Sequence, residues 1–319
     1  MTIDPVVSVV IPTYNRSPTL ISCLEHLERQ SCRAFEVIIV DDGSTDDTAG
    51  RVQEYLTRTM LPIRLIRQAN AGPARARNVA ISLARTPLIL MIGDDILATP
   101  MMVERHLRLH HEFPDPRVAA LGLTVWDTET QHITPFMRFL EDLQFLYAEL
   151  LAGTPPSWKQ FYTSNLSVKT ELLRKNPFCE RFPGAAMEDV ELGFRLARSG
   201  SLKMFFLPEA LAHHVHPTTF TQACRRMRNV GWATHLFHEL WPESYSDPMG
   251  ANPAKRLLRQ ALISTHLLGA ATRSAAFLSL FCTPHGAFQA ILNTHLYLGY
   301  RDREMQMLAS SNGFPETQD

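Results

Sequence analysis

Short, uninterrupted apolar runs, each closing on a polar loop and followed by a helical repeat, dominate the first hundred positions. Val6 to Ile11 is such a run, and it breaks at Pro12-Thr13-Tyr14-Asn15-Arg16. Apolar residues at consecutive rather than alternate positions mark strands covered on both faces. Ser17-Pro18 supplies an N-cap and a proline at the first helical position, and Leu20, Ile21, Leu24 and Leu27 carry helical spacing through about Arg29. Phe35 to Val40 predicts a second buried strand. It ends at Asp41-Asp42-Gly43-Ser44-Thr45-Asp46-Asp47, where Ser44 and Asp47 have capping-box spacing for a helix carrying Val52, Tyr55 and Leu56. Ile63 to Ile66 predicts a third strand before Asn70-Ala71-Gly72-Pro73, and the helix from Ala74 follows. Leu88 to Ile92 predicts a fourth strand, closing on Gly93-Asp94-Asp95, and Thr99-Pro100 caps the next helix, which reaches His110 or His111. This alternation predicts an α/β fold with a parallel, doubly wound sheet, whose ligand crevice lies outside the carboxyl ends of the strands.

Beyond that helix the alternation loosens. Val118 to Val125 predicts a strand, Pro135 to Leu151 one amphipathic helix, Tyr162 to Val168 a strand and Thr170 to Lys175 a helix. The loop Phe182 to Ala186 leads into a helix over Met187–Ala197 with an acidic N-terminus, closed by Gly200. Met204 to Leu207 and Ala210 to Val215 predict two short strands, and a helix starts at Thr218. Asn252 to about Tyr300 is helical and apolar-rich, but His266, Arg273, Pro284, His285 and Gly286 interrupt it. No run reaches the about 20 apolar residues of a bilayer span. A cover for the sheet, a homodimer surface or a peripheral membrane contact would each account for it. The tail from Ser310 to Asp319 is expected to be disordered.

Totals narrow the function classes. The chain has 319 residues, is 45% hydrophobic and 20% charged, and carries a formal net charge of -1. The 31 basic and 32 acidic residues balance, which excludes bulk binding to nucleic acid. Five scattered cysteines without CxxC pairing argue against a disulfide framework or zinc site and fit a reducing cytoplasm. The N-terminus leads into a strand without a basic region and apolar stretch, so no signal peptide is expected.

Candidate chemistry concentrates at the predicted strand ends. Asp94 and Asp95 stand side by side at the end of a buried strand, and like charges there raise one another's pKa unless a cation is present. A divalent metal carrying a phosphate is the natural cation, although an acid pair also serves a solvated turn and helix cap. Arg75 and Arg77 occupy the first turn of a helix, where the dipole favours anions, and a pyrophosphate nearby would explain them. Glu188 and Asp189 suit the N-terminus of a helix, where acids usually act as caps. His213, His214 and His216 exceed what packing needs, and neutral imidazole suits a transition metal. Arg225, Arg226 and Arg228 read as a solvated helix face.

The order of these motifs resembles the family 2 glycosyltransferases. The residues carrying the resemblance are Val9 to Arg16, Val37 to Asp46, Asn70 to Asn78, Gly93-Asp94-Asp95 and Glu188-Asp189, within residues 6 to 240. It implies a GT-A, Rossmann-like, mostly parallel sheet flanked by helices, with a helical C-terminal region. The implied division is a glycosyltransferase domain over 1–240, with a nucleotide-sugar half at 1–112 and an acceptor half at 113–240, then an extension at 241–319. Such enzymes use Mn²⁺ or Mg²⁺ and transfer a sugar from a UDP-, dTDP- or GDP-sugar, with inversion, onto a glycan, lipid-linked or peptide acceptor. The resemblance implies Asp95 as metal ligand, Asp94 shared between metal and ribose, and His214 completing the site. Pro12, Thr13, Tyr14 and Arg16 match the nucleotide loop, Asp41 and Asp42 the base-binding loop, and Arg77, with Arg75 beside it, the basic position near the nucleotide. Asp189 matches the catalytic base and Glu188 its neighbour, which orients the acceptor or loop. Acceptor choice is expected in Trp126 to Phe161 and after Gly231. A metal-dependent nucleotidyltransferase is the runner-up, but Pro12 to Arg16 lacks a glycine-rich, lysine-bearing phosphate loop. A non-catalytic nucleotide-sugar-binding protein is the third reading, against which Asp94, Asp95 and Asp189 argue.

Overall fold

A computed structural model of the chain describes residues 4–144, 146–182, 184–244, 267–282 and 284–311. The predicted alternation appears as β1 (Val7–Thr13), α1 (Ser17–Glu28), β2 (Phe35–Asp41), α2 (Thr48–Leu56), β3 (Ile63–Arg67), α3 (Pro73–Leu83) and β4 (Leu88–Ile92). Next come β5 (Ile96–Ala98), α4 (Met102–Glu112), β6 (Val118–Trp126), α5 (Pro135–Gln144), α6 (Tyr147–Leu151) and a tight helical turn at Trp158–Gln160. β7 (Asn165–Lys169), α7 (Thr170–Lys175), α8 (Glu188–Arg198) and β8 (Lys203–His214) complete the sheet-bearing part.

Among the described residues the strands form one eight-stranded sheet in the order β3-β2-β1-β4-β7-β6-β8-β5. β1 runs parallel to β2 and β4, and β2 to β3, so their carboxyl ends share one edge. β7 is antiparallel to β4 and β6, and β5 is antiparallel to β8. The sheet is therefore mixed, and the parallel expectation holds for β1 to β4. Its continuous apolar runs are explained by two cores. Val9, Ile11, Leu90 and Ile92 pack with Leu20, Leu24 and Leu27 of α1 on one face. Val10, Ile38, Ile89 and Met91 pack with Ala76 and Ala80 of α3 and Leu192 and Leu196 of α8 on the other. Each fully buried Leu or Ile contributes about 1.5–3 kcal/mol.

Several local expectations are revised by longer-range partners. Arg16, not Ser17, is the N-cap of α1, and Ser17 is its first helical residue. Ser44 and Asp47 form no capping box, because the Ser44 hydroxyl accepts a hydrogen bond from Asn15 N at 2.9 Å. Thr99 does not cap α4; its hydroxyl donates to Leu211 O at 2.6 Å and ties α4's approach to β8. The single helix expected over Pro135 to Leu151 is two helices, with Leu146 left-handed at φ 50° between them. The two strands expected between Met204 and Val215 are one strand, β8, which continues through Pro208 and Glu209 with a register shift against β6 at Gly122–Thr124. α4 docks through buried histidines: His106 Nδ1 and His110 Nε2 both lie 2.8 Å from the Ser167 hydroxyl of β7. Burial pushes these imidazoles down to about 4 and about 3, so both are neutral at pH 7.

The chain divides into two compact units, Met1–His132 with Glu141–His216, and Ile133–Leu140 with Pro217–Asp319. In the second, α9 (Phe220–Leu240), α10 (Leu267–Leu278) and α11 (His285–Ser311) join Phe136, Phe139 and Leu140 around Phe220, Phe288 and Leu292. α9 and α11 approach closely at Gly231, facing Leu296 O, and at Gly299, facing Arg228 O, where any Cβ would collide with backbone. The helix expected from Asn252 lies outside the described residues as far as position 266. Of the expected tail, Ser310 and Ser311 belong to α11 and the rest lies outside the described residues.

Candidate active site

The ends of β1, β2 and β4 deliver polar side chains to one edge, as the parallel register demands, with Thr13 opposite Asp41. Asp41 is fully buried and its Oδ1 accepts from Ser44 N at 2.8 Å. Its Oδ2 lies 3.4 Å from Arg67 Nε but accepts no hydrogen bond, so this buried oxygen is an acceptor held ready for a donor. Asp42 is spent on structure: it accepts from Gln68 Nε2 at 2.7 Å, Ala71 N at 2.9 Å and Gly72 N at 2.8 Å. In the β1 loop, Pro12 is half-buried, Tyr14 is exposed, and Asn15 turns through φ 53° to accept from the backbone of Thr45 and Asp46.

The two acids after β4 have different surroundings. Asp94 Oδ2 accepts from the Thr13 hydroxyl at 2.7 Å, and burial followed by the charge of Asp95 raises its pKa. Burial also works to raise Asp95, but the charges and hydrogen bonds of His214 and His216 outweigh it and hold the carboxyl well below the usual carboxylate range. Asp95 Oδ2 lies 3.3 Å from His214 Nε2, 3.1 Å from His216 Nδ1 and 3.2 Å from Arg16 Nη1. Arg16 also reaches His216 Nδ1 at 3.1 Å. Donor atoms of Asp95, His214 and His216 all lie within 4.8 Å of one another. A carboxylate with two imidazoles is a ligand set that suits Mn²⁺ better than a hard, all-oxygen Mg²⁺ site. His213 points elsewhere, into a cavity of about 210 Å³ with His26, Arg29 and Asp127, as strand alternation requires.

A second acid pair opens α8. Glu188 is buried and accepts from Arg77 Nη1 at 2.8 Å, with the two side chains only 3% and 8% exposed. Burial and the neighbouring charge of Asp189 raise the Glu188 pKa, against the pull of Arg77. Arg77, whose guanidinium also lies 5.6 Å from the Phe178 ring centroid, is thus paired inside the protein, while Arg75 in the same turn is exposed. The anion that explains Arg77 in this structure is Glu188. Asp189 is half-buried; its Oδ1 accepts from Val190 N at 2.8 Å, and among the described residues its Oδ2 is approached by Thr163, from N at 3.3 Å and from the hydroxyl at 3.4 Å.

Sequence reasoning favoured His214 and left open which of His213, His214 and His216 would reach a metal, and it missed two residues that contact His214. Trp126 closes β6 and stacks on His214 at 5.1 Å between centroids and 8° between planes. Gln131 Nε2 donates to His214 O at 2.5 Å. The His-x-His spacing, which puts alternate residues on one side of an extended chain, was the available signal for His216. Nothing local marked Trp126, because its partner is 88 positions away and met only through the β6–β8 register.

A strand-end crevice with an acceptor loop on β2, a paired-acid motif after β4 and a second acid pair opening a later helix, on this sheet, is the arrangement of a glycosyltransferase with the GT-A fold. The chain belongs to that class by sequence: the model described as glycosyl transferase family 2 matches residues 8–174, and the protein is a member of this family. It is 33% identical over 223 residues to a validoxylamine A glucosyltransferase of Streptomyces hygroscopicus subsp. jinggangensis, covering 61% of this chain and 52% of that one. It is 29% identical over 245 residues to a hyaluronan synthase of Pasteurella multocida, covering 66% of this chain and 24% of that one. The chain thus spans about half the length of the validoxylamine A glucosyltransferases it matches. In fold it is similar to the mannosyltransferase PcManGT from Pyrobaculum calidifontis, solved with GDP-Man and Mn²⁺, with TM-score 0.64, 19% identity and 96% and 88% of the two chains covered. It is also similar to Staphylococcus aureus TarS 1-349 in complex with UDP, with TM-score 0.52, 16% identity and 98% and 93% covered.

Proposed function

We propose that the protein is an inverting, divalent-metal-dependent glycosyltransferase that moves a sugar from a nucleotide-diphospho-sugar to a hydroxyl of a glycan or other acceptor. The convergence of Asp95, His214 and His216 on one point beside the strand ends is the observation that carries this reading. In it, Asp41 Oδ2 accepts a hydrogen bond from the base, and the Pro12–Tyr14 loop flanks base and ribose. Asp189 takes the proton of the acceptor hydroxyl as its oxygen bonds the anomeric carbon and the bond to the β-phosphate oxygen breaks. Asp189 suits that part because it is half-exposed, with Oδ1 fixed by Val190 N at 2.8 Å and Oδ2 in long contacts that leave it room to accept. Arg16, beside Asp95, supplies fixed positive charge where the leaving diphosphate accumulates negative charge. A metal held by Asp95, His214 and His216, when bound, would stabilise the same charge.

The reading assigns the protein to the cytoplasm or the inner face of a membrane. No helix among the described residues is long and apolar enough to cross a membrane. The test is release of nucleoside diphosphate from a panel of UDP-, dTDP- and GDP-sugars with and without Mn²⁺. Metal-dependent release from one donor is expected, and Asp95→Ala should abolish metal-dependent binding of the nucleoside diphosphate in calorimetry. Pyrophosphate release from a nucleoside triphosphate and a sugar phosphate would instead establish a nucleotidyltransferase, and unchanged metal dependence in Asp95→Ala would remove Asp95 from the ligand set.

A further inference from the structure

We infer that Trp126 is a positioning residue of the metal site: it fixes the ring plane of His214 and thereby the direction of the nitrogen that faces Asp95. This rests on the reading of Asp95, His214 and His216 as metal ligands. The register of β6 and β8 sets Trp126 directly opposite His214. The indole lies nearly parallel to the imidazole, 5.1 Å away and tilted by 8°. His216 continues the column, with its ring centroid 5.4 Å from that of His214 and its plane tilted by 23°.

An imidazole binds a metal through a lone pair that lies in the ring plane, so whatever fixes the plane fixes where the ligand points. Stacking leaves that edge open while holding the faces, and the Nε2 edge of His214 is indeed the one 3.3 Å from Asp95 Oδ2. The main chain of His214 is held by the same segment, since Asp127 N donates to His214 O at 3.1 Å and Gln131 Nε2 donates to it at 2.5 Å. Residues 126–131 therefore fix both the backbone and the ring of one ligand. The alternative role for a tryptophan here is a platform for an acceptor sugar. That role needs an open face, and Trp126 is 5% exposed.

Residues that orient a metal ligand change affinity by about 10–100-fold when removed. The test is uptake of Mn²⁺ alone, read from loss of the free-ion paramagnetic resonance signal and from tryptophan emission. Trp126→Leu should weaken Mn²⁺ binding about 10-fold or more, and Trp126→Phe, which restores a stacking ring, should recover most of it. In the native protein Mn²⁺ should quench tryptophan emission, and Trp126→Phe should remove that quench although Trp158, Trp232 and Trp241 remain. The quench measurement stands even if Trp126→Leu fails to fold. Uptake lost in Asp95→Ala but native in Trp126→Leu overturns the Trp126 inference alone, as does a quench that survives in Trp126→Phe. Equal uptake by the native protein and Asp95→Ala overturns the metal site and this inference with it.

Discussion

Asp94-Asp95 and Glu188-Asp189 are both adjacent acid pairs at the start of a turn or helix, yet the protein treats them in opposite ways. After β4 the second acid is surrounded by nitrogen groups: the Arg16 guanidinium and the imidazoles of His214 and His216 all approach Asp95 Oδ2 within 3.3 Å. At α8 the cation goes to the first acid, with Arg77 closing on Glu188, while Asp189 accepts from Val190 N at 2.8 Å on Oδ1 and has two long contacts from Thr163 on Oδ2. In each pair one acid is buried with a raised pKa, Asp94 and Glu188 respectively. The remaining acids differ in kind. Asp95 is held as a negative charge by its neighbours, whereas one oxygen of Asp189, Oδ2, is left with long contacts, which is the difference the proposed roles of metal ligand and base use.

The largest effect that would test this contrast is at Asp189. Asp189→Asn should lower transfer by about 10²–10⁴-fold, the range for losing a general base, while Mn²⁺-dependent nucleotide binding stays native. A variant that lost binding and transfer together would erase the distinction between the pairs. Next is Arg77. Arg77→Ala leaves Glu188 buried without its cation and should cost about 3 kcal/mol of stability, read as a lower denaturant midpoint. Replacing both Arg77 and Glu188 by Met should recover most of that loss, since no uncompensated charge then remains. The smallest effect is at Asp94. A carboxyl whose folded pKa is raised binds its proton more tightly in the native state, so its contribution is present below the usual carboxylate pKa of about 4 and is lost as pH rises through the raised value. Asp94→Asn should therefore stabilise the protein by about 1 kcal/mol at pH 7.5 and not at pH 3.5, in thermal melts without added metal. A gain of equal size at both pH values would show that Asp94 is not the acid carrying the burial cost.

The strands, helices and loop positions up to β4 were legible because each apolar run is local and long enough to set its own period. The acids at Asp41, Asp94 and Asp95 were legible as strand-end residues for the same reason. Adjacent residues with the same apparent promise parted company only through distant partners. Asp42 is consumed by the Ala71–Gly72 backbone and Arg77 by Glu188, 111 positions away, while Asp41 keeps an acceptor unused. β5 was missed because three residues in a turn-like stretch have no period of their own, and they become a strand by pairing with Ala212–His214.

The sequence by itself determined the doubly wound start of the fold, the edge where chemistry gathers and the family motifs in their order, because hydrophobic periodicity and strand-end placement are properties of contiguous residues. Only the tertiary structure decided which acids are already hydrogen-bonded within the fold, that His216 joins His214 beside Asp95 while His213 turns away, and that Trp126 lies against His214. Those outcomes depend on register between strands far apart in the chain. A shift of one residue there would exchange the faces of β8 and send His213 to the site in place of His214.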